Sequence, residues 1–160
     1  MKNRYASMDF TKIQNEVMKD SFDNYHVTKF WHGSFENESG TYHGITDGHM
    51  VVVIPENYYY LSENVFKCRK WRFKNIVKEA DNAAPITLTG ELLTITGKKK
   101  PLMIFKNEAG EKIYIDSALH DNFKTTSAIS YKGTTPKSPI YLYVYGTLIG
   151  VILPVNHKEN

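Results

Sequence analysis

Residues 140–155 form a run without a single charged side chain. A membrane-spanning helix needs about 20 apolar residues, so this run is too short to span a bilayer. Apolar side chains alternate with tyrosines from Ile140 to Tyr145, which is the two-residue period of a β-strand. The run therefore predicts two strands packed in the interior and joined by a Gly146-Thr147 turn of the Gly-X type.

The chain has 160 residues, of which 41% are hydrophobic, and this fits one domain with its own core. Its single cysteine, Cys68, excludes an intramolecular disulfide and a CxxC metal site. Residues 1–20 carry charges throughout and lack the apolar segment of a secretory leader. We therefore expect a single domain over 1–160, located in the cytoplasm, with no membrane contact.

The first third of the chain predicts the order β-α-β-β-β. Asp9 is placed to cap a helix whose apolar stripe begins at Phe10 and ends near Asp20. The Asp47-Gly48 pair predicts a hairpin turn before an apolar run, since both residues tolerate positive φ. The predicted strands are a short one at Asn3 to Ser7, then His26 to Phe35, Thr41 to Thr46 and His49 to Ile54.

The last third predicts the same order. A strand at Lys112 to Ile115 is followed by a short helix capped by Asp116 or Ser117. Three further strands are predicted at Ser127 to Tyr131, Ile140 to Tyr145 and Leu148 to Leu153. The chain thus repeats a structural pattern without repeating its residues.

An inserted element occupies 56–110 between these two parts. It contains a predicted amphipathic helix from about Arg69 to Ala80, with Phe73 as the first residue of its apolar stripe. Strands at Ile86 to Thr96 and Leu102 to Lys106 follow as a β-hairpin. The predicted fold class is α+β with mostly antiparallel sheets.

Two βαβββ half-domains in one domain resemble a single domain of the DNA sliding clamps, the ring-shaped processivity factors of replication. Local sequence is similar at Phe10 to Phe22, at Ile45 to Met50, at Ile113 to Phe123 and at Pro139 to Val155. The resemblance implies a clamp-like fold, a role with DNA, self-pairing through sheet edges and an origin in a phage or mobile element. It does not extend to the insertion at 56–110, and the first helix carries few basic residues.

Positive charge is concentrated in the middle of the chain. The net charge is −4 over residues 1–66, +6 over 67–100 and +1 over 101–160. On the predicted helix, Lys70, Lys74 and Lys78 would form one ridge that a polyanion could neutralise. The predicted contact residues for nucleic acid or for an acidic partner protein are Lys67, Arg69, Lys70, Trp71, Arg72, Lys74, Lys78, Lys98, Lys99 and Lys100. A solvated helix face that only maintains solubility is the alternative.

Two other sets of residues could carry chemistry. His43, Asp47 and His49 form a HxxxDxH pattern, although the Asp-Gly turn itself explains Asp47. Cys68 lies among basic residues that favour a thiolate, but no Cys-His signature accompanies it. Phosphate-binding and zinc-protease motifs do not occur in the sequence.

The sequence therefore favours a non-catalytic, clamp-like binding protein without metal or cofactor. Its expected partner is nucleic acid or a protein that processes nucleic acid. An inhibitor or adaptor that docks on an acidic protein, or a homo-oligomer assembled through sheet edges, is the alternative.

Overall fold

The structure, a computed structural model, describes residues 8–23, 27–61, 67–70 and 73–157. These ranges contain both helices and strands, and this confirms the predicted α+β class. The predicted strand at Asn3 to Ser7 lies outside the described residues.

The elements in chain order are as follows. The first part contains β1 (Met8–Asp9), α1 (Thr11–Asp23), β2 (Val27–Asn37), β3 (Gly40–Thr46), β4 (Met50–Pro55) and a 3₁₀ turn (Glu56–Tyr58). The middle contains β5 (Lys67–Lys70), α2 (Lys74–Asp81), β6 (Ala84–Leu93) and β7 (Leu102–Lys106). The last part contains β8 (Lys112–Asp116), α3 (Ser117–His120), β9 (Lys124–Thr125), β10 (Ser130–Gly133), β11 (Ile140–Val144) and β12 (Thr147–Ile152).

One sheet of ten strands organises the described chain, in the order β5-β2-β3-β4-β12-β11-β10-β6-β7-β8. Neighbouring strands are antiparallel except β5, which runs parallel to β2. The two-residue strands β1 and β9 pair separately. Val155, which follows β12, forms a bridge with Tyr114 of β8. The sheet therefore curls until its last strand lies beside the continuation of β12.

The central strands are buried on both faces. On one face Val52, Ile54 and Leu142 belong to a core that also contains residues of α1. On the other face Val53 and Tyr143 belong to a second core that α2 covers. Every residue of β4 and of β11 is buried, which explains why the sequence around β11 lacks charges.

Helix ends follow the predicted capping chemistry. The Asp9 carboxylate accepts a hydrogen bond from the backbone N–H of Thr11 (2.9 Å) at the start of α1. The Asp116 carboxylate accepts one from the backbone N–H of Ala118 (3.0 Å) at the start of α3. The capping role predicted for each aspartate is confirmed.

Of the two predicted hairpin turns, the Asp47-Gly48 turn is confirmed and the Gly146-Thr147 turn is wrong. Val144 pairs with Thr147, so the β11–β12 turn consists of Tyr145 and Gly146, with φ values of 50° and 74°. A turn with two positive φ angles matches the twist of the hairpin, and the predicted Gly146-Thr147 turn is therefore wrong. At the other hairpin only Gly48 has positive φ, while Asp47 accepts hydrogen bonds from the backbone of His49 and Met50.

The inserted helix is shorter than predicted. It begins at Lys74, and residues 67–70 form β5, so the predicted helical start near Arg69 is wrong. The Lys-Cys-Arg-Lys segment has no apolar periodicity to place on the core, whereas Phe73 packs there with a side chain that is 1% exposed. The apolar stripe from Phe73 to Ala80 is confirmed, because both ends of it are buried.

Candidate binding surface at the sheet edge

The basic segment of the insertion lies at one end of the ten-stranded sheet. Strand β5 is the first strand in the sheet order, and Lys70 on it is exposed and in register with His32 of β2. The structure describes only the backbone of Lys67, Cys68, Arg69 and Lys74, and Trp71 and Arg72 lie outside the described residues. The lysine ridge predicted along a helix is wrong, because Lys70 is on a strand and only Lys74 and Lys78 are on α2.

An aromatic side chain lies beside this basic strand. Trp31 of β2 is in register with residue 69, and its side chain is 38% exposed despite its size. Lys29, two residues earlier on the same strand, is exposed, and its Nζ lies 5.3 Å from the ring centroid of Phe30. This end of the sheet therefore combines exposed cationic groups with an accessible indole.

Helix α2 packs against one face of the sheet and does not project from it. Phe73 lies directly against Gly44 of β3, where a Cβ atom added to the glycine would come within 2.9 Å of the Phe73 ring. Phe35 contacts Phe73 edge to face at a centroid distance of 6.3 Å. Lys78 is exposed on the opposite side of the helix. The apolar side of α2 is thus used by the fold, and its polar side remains available to a partner.

The lysine loop between β6 and β7 does not join this surface. Lys98 Nζ lies 3.3 Å from an Asp116 carboxylate oxygen, and Lys100 forms an ion pair with Asp121. Both aspartates flank α3, which packs on β8 at the opposite end of the sheet order. The structure therefore does not bring Lys98, Lys99 and Lys100 together with β5, and two of the three are paired with the protein's own carboxylates.

A groove opens next to Trp31. It has a volume of about 340 Å³ and an almost entirely apolar lining that includes Ile76 of α2, Val151 of β12 and Leu153. Leu153 is 42% exposed, which is unusual for a large apolar side chain at the end of a buried strand. The groove extends from Trp31 on β2 to the central strands β4 and β12.

The HxxxDxH pattern does not form a site. Asp47 is used by the turn, and His49 is exposed. His43 instead contacts His32 (Nδ1 to Nε2, 2.8 Å) and Glu56 (Nε2 to Oε2, 2.8 Å). Within the described residues, no group of three or more His, Cys, Asp or Glu side chains is arranged to hold a metal ion.

This histidine pair is a feature that the sequence pattern missed. Both rings are largely buried, and Tyr59 stacks on His43 with a centroid distance of 3.8 Å. The β2–β3 register places Ser34 opposite His43, so His32 and His43 are diagonal neighbours on one face. The two-residue turn Glu38-Ser39 fixes this register, and the Ser39-Gly40 pair is the sequence signal that could have found the histidine pair.

Comparison of the chain with protein-family models, curated proteins and solved structures finds no match. Among the helices in the described part of the chain, none has the length and apolar character needed to cross a membrane.

Proposed function

We propose that the protein is a non-catalytic binding protein that contacts a single nucleic-acid strand through the end of the sheet formed by β5 and β2. The observation that carries the proposal is the basic strand β5 at the sheet edge, with the exposed Trp31 in register beside it. Cationic groups neutralise phosphates, and an accessible aromatic face stacks on an unpaired base. We define this contact surface as Trp31, the residues 67–74 and Lys78.

The resemblance to the sliding clamps supports this proposal. The described part begins with β1-α1-β2-β3-β4, and after β8 and α3 it continues through β9 to β12. Strands β4 and β12 join these two parts at the centre of the sheet. We infer a clamp-like platform that presents the inserted segment, and the phage or mobile-element origin is part of the same inference.

The mass of the protein in solution, with and without an oligothymidine, tests the function. We expect the mass to rise when the oligonucleotide is added, and a Trp31→Ala variant to bind about five- to 150-fold more weakly. Loss of a stacked base costs about 1–3 kcal/mol, which corresponds to this change. Unchanged mass in the presence of the oligonucleotide would contradict the proposal.

A protein partner is the second candidate, and the apolar groove beside Trp31 favours it. A groove of this lining suits an apolar anchor of an acidic partner. A pulldown after nuclease treatment separates the two candidates, because a direct protein complex survives the nuclease. Leu153→Gln, which removes an apolar contact without adding a charge, should weaken such a complex more than it weakens oligonucleotide binding.

A further inference from the structure

A separate cleft lies where two neighbouring strands diverge, far from the contact surface in the sheet order. β10 pairs with β6 only from Tyr131 onward, at Ile86, Pro85 and Ala84. Lys124 and Thr125, which precede β10, pair with β1 instead. Because this segment pairs with β1, it diverges from β6. A cleft of about 590 Å³ lies at this divergence. This volume is within the range of about 300–1,000 Å³ that is usual for ligand sites.

The exposed backbone of β6 supplies a hydrogen-bonding edge in this cleft. Thr87 and Leu88 pair with β7 on one side, and the described residues show no backbone hydrogen bond from either of them outside that ladder. In an antiparallel strand, the N–H and C=O of one residue point to the same neighbour, and successive residues alternate. One of these two residues therefore presents a donor and an acceptor side by side to the cleft.

The cleft is lined mainly by apolar side chains and by side chains that carry hydroxyl groups. Ile86 and Phe123 are buried apolar parts of the lining, and Leu88 is 40% exposed at its margin. The hydroxyl groups come from Thr87, Thr125, Ser127, Ser130 and Tyr131. Among the described residues that line the cleft, none is an Asp, Glu, Lys or Arg. A charged ligand would lose hydration here without gaining a counter-charge, so the cleft favours a neutral ligand.

A pair of hydrogen-bonded polar groups forms part of the cleft lining. His120 Nε2 lies 2.7 Å from the Tyr131 hydroxyl, and the Tyr131 ring contacts Phe105 at a centroid distance of 4.7 Å. Burial lowers the pKa of His120 below its ordinary value, although nearby Asp121 opposes the shift. His120 is accordingly neutral at pH 7, and the lining remains uncharged.

We infer that this cleft binds a free, neutral heterocycle of the nucleobase or nucleoside class. A planar base carries a donor and an acceptor side by side on its edge, which matches the open backbone of β6. Its faces suit the apolar and aromatic walls. The inference goes beyond the proposed function and does not depend on it, since the cleft and the contact surface share no residue.

Amide NMR spectra of the full chain, recorded during titration with adenosine, cytidine, uridine and guanosine, test the inference. At least one nucleoside should saturate shifts at the amides of Thr87, Leu88 and Ser130. Leu88→Glu, which adds a charge at the margin, should weaken this binding at least tenfold. Leu153→Glu, at the apolar groove, is the matched control and should leave it unchanged.

Three results would overturn the inference. The first is no saturable shift at the cleft amides with any of the four nucleosides. The second is binding of 2-methylnaphthalene, which has no hydrogen-bonding edge, as tight as that of the best nucleoside. The third is tighter binding at these amides by an oligonucleotide of the same base, which would assign the cleft to a strand. Loss of oligothymidine binding through Trp31→Ala has no bearing on these outcomes, so the two proposals fail independently.

Discussion

Gly150 lies beneath an aromatic ring at the centre of the molecule, where β12 joins the two parts of the sheet. A Cβ at this position would overlap the ring of Phe123, whose side chain is buried. Residue 150 also pairs with Val52 of β4 and with Leu142 of β11. The absence of a side chain here lets Phe123 pack directly on the backbone of the central strand.

We therefore expect Gly150→Ala to lower the free energy of unfolding by about 1–3 kcal/mol, as overpacking of a core does. Urea denaturation of the variant measures this change. Combining it with Phe123→Leu should cost less than the sum of the two single changes, because the smaller side chain leaves room for the methyl group. Wild-type stability of Gly150→Ala would contradict the described packing.

Buried phenol groups give the protein a distinct response to alkaline pH. Burial raises the pKa of Tyr131 to about 12, and burial together with Asp81 and Tyr141 raises that of Tyr143 to about 12. The unfolded chain releases these protons near pH 10, whereas the folded chain retains them. The stability that they contribute is complete below about pH 10 and is lost as the pH rises toward about 12.

Tyr131→Phe should consequently lose less stability than the wild type between about pH 10 and about pH 12. Urea denaturation across this range provides the measurement, and Tyr145→Phe, at a position that is 73% exposed, is the control. Identical pH profiles for wild type and Tyr131→Phe would show that this phenol is not held neutral by the fold.

At the scale of elements, α2 is attached by its apolar side. Phe73 is 1% exposed and lies against Gly44, so its removal leaves a cavity between the helix and the sheet. Phe73→Ala should cost about 3–5 kcal/mol of stability. Lys78→Ala, on the exposed side, should stay within about 0.5 kcal/mol of the wild type. Equal effects of the two variants in thermal denaturation would contradict the role of α2 as a cover.

Local patterns predict most elements of this chain because they depend on nearby residues. The capping aspartates, the apolar stripe of α2 and the alternation in β11 each follow from the side chains of one short segment. The helical start predicted near Arg69 is wrong because the strand state of residues 67–70 depends on pairing with β2, more than 30 residues away along the chain. The same limit applies to Lys98 and Lys100, whose aspartate partners are 18 and 21 residues further along the chain.

At the scale of the whole molecule, folding divides the positive charge of the middle segment. Residues 67–70 are placed at the β5 end of the sheet, Lys78 lies on α2, and the lysine loop is placed beside α3. The charge of this segment can be counted from the sequence. Which lysines pair with the protein's own carboxylates cannot be determined from it. The contact surface that we propose is therefore smaller than the one predicted from the sequence, and it is centred on β5 and Trp31.

Affinity for a labelled oligothymidine, measured by fluorescence anisotropy over a series of salt concentrations, tests the central claim most directly. With six basic residues in 67–78, the log–log slope should be about −4 for a single strand. Lys70→Gln should weaken binding and make the slope shallower by about 1, whereas Lys100→Gln should change neither. Absence of binding, binding without salt dependence, or equal effects of the two variants would contradict the account.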